Sequence, residues 1–270
     1  MDQDAEKAPP EAVTRAFGLR ARPRWWEGRT WVAGDVFLKP VDDVEEARWA
    51  CEVLSRVDED GFRVARPVAA SDGSWVVEGW VASRRVVGSP APGGSESVLK
   101  AARAFHAALR EVPKPPCLTR RRHRWATADR VAWGEEPYAP SSWLEPRFSL
   151  LKSWACPVTL EPQIIHGDLS GNVLVAPGLL PAVIDFSPYW RPAAYAEAII
   201  AVDAWLWSGA GFDVVERVAA PARSPGLLAR AALFRLVALD LHAQLAPELA
   251  AEASTFDPVM AHIARLTPSR

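Results

Sequence analysis

Ile164-Ile165-His166-Gly167-Asp168-Leu169-Ser170-Gly171-Asn172-Val173-Leu174-Val175, followed six residues later by Ala182-Val183-Ile184-Asp185-Phe186, interrupts an otherwise helical second half of the chain. Two apolar runs flank a polar loop, and two short β-branched runs flank the turn pair Pro177-Gly178. The spacing predicts a hairpin closed over residues 176–181. In that register Val175 faces Ala182, Val173 faces Ile184 and Asn172 lands opposite Asp185, with opposed Cα atoms about 4.5 to 5.5 Å apart. An amide and a carboxylate then share one site.

Hard oxygen ligands placed in this way suit Mg²⁺ with nucleotide phosphates, because that ion takes one or two protein carboxylates and fills its remaining positions with phosphate and water. Asp168 lies on the loop entering the same hairpin, where it can accept a hydroxyl proton. This is the logic of a kinase catalytic loop, in which one Asp orients the nucleophile and an Asn and a second Asp hold metal. A plainer reading makes Asp168 and Asn172 turn caps. Three oxygen-bearing side chains converging on one hairpin favour phosphoryl transfer.

Outward from the loop, Glu96–Arg110, Trp125–Glu135, Ala193–Trp207 and Leu227–Leu245 read as helices, two of them beginning behind Pro192 and Pro225. Asp203 stands inside an apolar helix and needs a partner if buried. The first third reads differently. A short helix over Pro9–Phe17 ends at Gly18, a strand runs from Trp31 to Lys39, a helix follows an Asp42 or Asp43 cap, and further strands cover Arg63–Val68 and Trp75–Val87. Ser89-Pro-Ala-Pro-Gly-Gly-Ser95 is linker-like. The expected architecture is therefore α+β, with an N-terminal lobe of sheet plus helix over residues 1–88 and a larger, mainly helical lobe over residues 89–270.

Only five of the 31 basic residues are lysines, and Lys39 alone sits at the end of an apolar strand. It reads either as a strand-end lysine snorkelling to water or as the cation on nucleotide phosphates. Glu46 lies on the inward face of the next helix. It is a candidate ion-pair partner for Lys39, and equally the capping-box position behind Asp43.

Several function classes are excluded. A net charge of −2 over 270 residues leaves no electrostatic footprint for nucleic acid or an anionic membrane. The acidic start lacks the regions of a signal peptide, and no apolar run reaches membrane-spanning length, so a cytoplasmic protein is expected. Cys51, Cys117 and Cys156 form no CxxC pair, against zinc and a disulfide framework. The 13 tryptophans read as packing residues, and oligomeric state is not legible. Ser170 with His166 fails the GxSxG spacing of a nucleophile elbow, and GxxxxGK[ST] is absent. The run Arg120-Arg121-Arg122-His123-Arg124 reads as a solvated face.

HGDLSGNVLV followed by AVIDF resembles the aminoglycoside phosphotransferase-like family, also called the phosphotransferase enzyme family, and the order of motifs from Lys39 onward extends the resemblance along the chain. The resemblance implies a protein-kinase-like two-lobed fold and transfer of the γ-phosphate of ATP or GTP to a hydroxyl of a small molecule. It implies Asp168 as base, Asn172 and Asp185 as Mg²⁺ ligands, His166 as a loop-shaping residue and Lys39 on the phosphates. Gly28, in the loop that covers the phosphates, and Glu46 complete the implied nucleotide site. The chain departs from the family pattern in two places. Asp168 to Asn172 is four steps where the family usually has five, and Arg22–Thr30 contains one glycine. The alternative is a nucleotide-binding, pseudokinase-like protein without transfer. The acceptor is not legible: Glu248, Glu252 and Asp257 are too few and scattered to argue for a polycationic antibiotic.

Overall fold

The computed structural model describes residues 8–267, and the chain packs into two compact units. One contains the described residues through Ser89 together with Leu174–Phe186; the other contains Pro90–Val173 and the described residues from Ser187 onward.

In the first unit, α1 (Glu11–Ala16) starts behind Pro10 and stops at Gly18, whose φ of +67° lets the Leu19 amide return to the Thr14 carbonyl at 2.9 Å. An antiparallel sheet follows in the order β1 (Arg24–Glu27), β2 (Thr30–Ala33), β3 (Val36–Pro40), β5 (Trp80–Arg84). The single strand expected over residues 31–39 is in fact a hairpin, because Gly34 takes φ +65° and reverses the chain between Ala33 and Val36. The expected strand over residues 75–87 is likewise shortened. Glu78 and Gly79 both adopt positive φ, the requirement of a two-residue hairpin turn, so only Trp80–Arg84 joins the sheet. Val36 and Leu38 point inward onto Val13, Phe17, Trp80 and Ala82. Lys39, next in the alternation, is carried to the opposite face.

Asp43 caps α2 (Val44–Arg56): its Oδ1 accepts from the amides of Glu45 at 2.9 Å and Glu46 at 3.0 Å. A second sheet has the order β4 (Arg63–Val64), β9 (Ala182–Val183), β8 (Val173–Val175), β6 (Ser89–Pro90). The sequence reading assigns Leu174–Phe186 to the lobe over residues 89–270, but this segment packs with the first unit. The cause is pairing: β9 runs parallel to β4, and Arg63 Nε donates to the Leu180 carbonyl at 2.7 Å.

The second unit is built around α8 (Pro225–Ala243), against which α4 (Arg124–Ala132), α5 (Glu145–Trp154), α6 (Ala193–Trp207) and α9 (Phe256–Leu266) all pack. Buried on nearly every side, α6 and α8 are apolar all round and show little amphipathic period. α3 (Glu96–Ala108) completes the packing against α6, α7 (Val214–Arg217) is a short turn of helix, and β7 (Gln163–His166) pairs antiparallel with β10 (Pro188–Arg191). The sequence reading missed β10 as a strand. Cys51 and Cys117 are buried and Cys156 is exposed, and the three form no disulfide with one another. Of the tryptophans expected to pack, Trp80 and Trp205 are buried, most are half-buried, and Trp25, Trp26 and Trp207 are exposed. Among the described residues no helix is long and apolar enough to cross a membrane.

Candidate active site

The loop leaving β7 is shaped from beneath by two buried histidines. The His166 amide donates to His106 Nε2 at 3.0 Å, and the Asp168 amide donates to His166 Nδ1 at 3.1 Å. Since a backbone N–H can only donate, both ring nitrogens must be unprotonated acceptors. Burial, and then the neighbouring His166, push His106 down to about 3, which keeps it neutral as this geometry requires. Gly167 is needed for close approach: a Cβ there would lie 2.4 Å from Tyr189 Cδ2. Leu169 is buried and pins the loop.

Asp168 emerges half-exposed from this support. Gly171, at φ +83°, turns the chain back so that Asn172 Nδ2 donates to the Asp168 carbonyl at 2.7 Å and lies 3.5 Å from its Oδ2. The short loop thus brings the predicted Asp and Asn together. With its nitrogen on that carbonyl, the Asn172 amide keeps Oδ1 as a hard oxygen donor suited to Mg²⁺.

In the first unit, Lys39 Nζ lies 2.5 Å from Asp185 Oδ1, and both side chains are partly exposed. Asp185 takes φ +50°, a left-handed conformation that Asp tolerates better than most side chains. The next residue, Phe186, sets its ring 6.2 Å from that of Trp49 on α2. Glu46 sits in the first turn of α2 with its amide on Asp43, as a capping residue would. Gly28 occupies the β1–β2 turn at φ +48° and its carbonyl accepts from Trp25 Nε1 at 3.0 Å. Asp185 offers a hard carboxylate that could hold Mg²⁺, an ion that takes one or two protein carboxylates beside phosphate and water. Among the described residues no group of three or more His, Cys, Asp or Glu side chains is placed to hold a metal.

Sequence reasoning missed Arg235. Its Nε and Nη2 clamp Asp203 at 2.7 and 2.6 Å, and Nη2 also donates to Asp168 Oδ1 at 2.9 Å. The signal was present as two opposite charges in two apolar helices, of which only Asp203 stood out. Burial works against the Arg235 charge; Asp203, and after it Asp168, outweigh burial and hold the guanidinium above its ordinary value. The arginine run is tied up locally: Arg121 Nη1 donates to the Pro188 carbonyl at 2.5 Å and Arg124 lies 5.0 Å from the Trp125 ring centroid. Asp257 is paired with Arg147 at 2.7 Å.

One unit with a four-stranded antiparallel sheet and a capped helix, and a second, mainly helical unit, are the architecture of the protein-kinase-like fold. Residues 20–212 match the phosphotransferase enzyme family, and the chain belongs to that family. No match is found among curated protein sequences. Among solved structures, the chain is similar to an aminoglycoside phosphotransferase from Alicyclobacillus acidocaldarius subsp. acidocaldarius (17% identity, covering 98% of this chain and 96% of that one, TM-score 0.63). It is similar to a spectinomycin phosphotransferase in complex with ADP and spectinomycin (13% identity, 95% and 96% covered, TM-score 0.60). It is also similar to a macrolide 2'-phosphotransferase from Brachybacterium faecium (16% identity, 91% and 96% covered, TM-score 0.53).

Proposed function

We propose that this chain transfers the γ-phosphate of ATP or GTP to a hydroxyl of a small molecule, with Asp168 as the base and Lys39 on the nucleotide phosphates. The observation that carries this reading is the half-exposed Asp168 carboxylate, fixed through its amide, its carbonyl and its Oδ1, with Oδ2 left no closer partner than the Asn172 amide at 3.5 Å. The acceptor oxygen attacks the γ-phosphorus and its proton passes to Asp168. The bond from that phosphorus to the β,γ-bridging oxygen breaks, releasing the nucleoside diphosphate.

Asn172 and Asp185 would hold Mg²⁺, which neutralises charge on the phosphates when bound. Lys39, in contact with Asp185 here, is a cation with the reach to transfer to phosphate oxygens. Gly28 belongs to the turn expected to cover the phosphates. Glu46 is proposed at the nucleotide site on the motif order alone, since an acid in the first turn of α2 is also favoured by the helix dipole. The solved relatives phosphorylate aminoglycosides, spectinomycin or macrolides by their names, and these compounds head the list of acceptors to try.

Thermal-shift titration with ATP, GTP and Mg²⁺ tests the nucleotide site, because a ligand that binds only the native state raises the melting temperature. A magnesium-dependent rise that Asp185→Ala removes is expected. No rise with either nucleotide would overturn the reading. A rise without transfer to any hydroxyl, water included, would leave the nucleotide-binding, pseudokinase-like alternative.

A further inference from the structure

We propose that Arg235 is a positioning residue for phosphoryl transfer: buried in α8, it fixes the rotamer of Asp168 so that Oδ2 is the oxygen presented to the acceptor. The inference rests on the reading of Asp168 as base. Arg235 lies outside residues 20–212, the part of the chain that matches the family, so the family motifs do not assign it.

The argument starts from the donor geometry of guanidinium. Nε and one Nη form a planar fork, and the Nη carries a second hydrogen that points away from the fork. Here the fork is closed on both oxygens of Asp203, at 2.7 and 2.6 Å, which is all that a buried ion pair requires. The remaining Nη2 hydrogen reaches Asp168 Oδ1 at 2.9 Å. Arg235 and Asp203 are 3% and 1% exposed at their side chains, whereas Asp168 is 47% exposed. A rigid buried pair therefore holds a carboxylate that would otherwise rotate in solvent.

The pair is itself held. The Arg235 guanidinium carbon lies 5.3 Å from the Trp125 ring centroid, 5.5 Å from that of Trp207 and 4.8 Å from that of Phe234. Aromatic faces on several sides leave the guanidinium one position, which is how a second layer of side chains keeps a reacting group within tolerance. With Oδ1 taken by Arg235 and the Asn172 amide 3.5 Å from Oδ2, the carboxylate plane is set from both edges. Arg235 is too buried to meet substrate, so its effect passes through Asp168.

A structural role and a positioning role are separable, because a buried ion pair can be replaced by apolar side chains of similar volume without loss of stability, whereas removing one partner strands a charge. The test compares wild type, Arg235→Met, Asp203→Leu with Arg235→Met, and Asp168→Asn. Melting temperature, the Kd of MgATP and the rate of ADP release from MgATP are read for each, with water as phosphoryl acceptor. We expect the single Arg235→Met variant to melt early and the double variant to recover the melting temperature and the Kd. The double variant should still turn over about 100-fold more slowly than wild type, the scale expected of a misplaced reacting group. Recovery of turnover along with stability would overturn the proposal and leave Arg235 a core residue. ADP release by wild type that Asp168→Asn does not diminish, or no release by wild type at all, would overturn the reading of Asp168 as base, and this inference with it.

Discussion

Lys39 and Asp185, 146 positions apart in the chain, meet as an ion pair with Nζ 2.5 Å from Oδ1. The side chains are 41% and 55% exposed, so water screens the pair and its contribution to folding is small, on the order of 0 to 1 kcal/mol. On the proposed function its consequence is for ligand binding. Lys39→Met should shift the urea midpoint of unfolding little while weakening MgATP binding at least about tenfold, the scale of one lost charge-assisted contact. Calorimetric titration of the variant checks this, and unchanged affinity would remove Lys39 from the nucleotide site.

Asp185 and Asp168 are assigned different tasks, and their variants should separate. Asp185→Ala should abolish magnesium-dependent nucleotide binding, whereas Asp168→Asn should bind MgATP like wild type and lose turnover by about 100-fold or more, the range of a removed general base. Binding and ADP release measured side by side decide the matter; equal behaviour of the two variants in both assays would count against the roles.

Gly167 is a packing glycine. An alanine Cβ would fall 2.4 Å from Tyr189 Cδ2 and 2.6 Å from Cε2, on a buried ring packed at 5.7 Å centroid distance against Phe234. Because the ring has little room to retreat, Gly167→Ala should cost about 1 to 3 kcal/mol of stability, as overpacking does. Chemical denaturation measures it, and a variant as stable as wild type would show that the loop can shift.

His106 makes the fold sensitive to acid. Its Nε2 must stay unprotonated to accept the His166 amide, and its folded value of about 3 lies below the ordinary 6.5. A depressed folded value means the unfolded chain binds the proton first. The contribution is complete above pH 6.5 and is lost as pH falls toward 3, with a slope of up to about 1.4 kcal/mol per pH unit. His106→Gln, which keeps an acceptor without a titrating ring, should flatten stability against pH across that window. An unchanged slope would assign the acid sensitivity to other groups.

Four helices of the second half, α3, α4, α6 and α8, were legible in the sequence, two of them because prolines mark their starts, whereas α5 and α9 were not read. α6 begins behind Pro192 as expected, and the read positions of α3, α4 and α8 differ from the observed ones by a few residues at their ends. The small sheet was read less well. A run from Trp31 to Lys39 looks continuous in its apolar pattern, and only the positive φ of Gly34 shows that it folds on itself.

The sequence by itself determined the chemistry to be sought: Asp, Asn and a second Asp around one predicted hairpin, a lone lysine ending an apolar strand, and an Asp inside an apolar helix that had to find a partner. These are local signals, since spacing along the chain dictates which side chains share a loop or a strand end. The tertiary structure alone decided that Arg235 is that partner and that it also reaches Asp168, 67 positions away. It also decided that β9 docks on β4 and that His106 on α3 supports His166 at the end of β7. Such pairings depend on how buried helices and strands stack, and in helices that are apolar all round no periodicity announces which face a charge will meet.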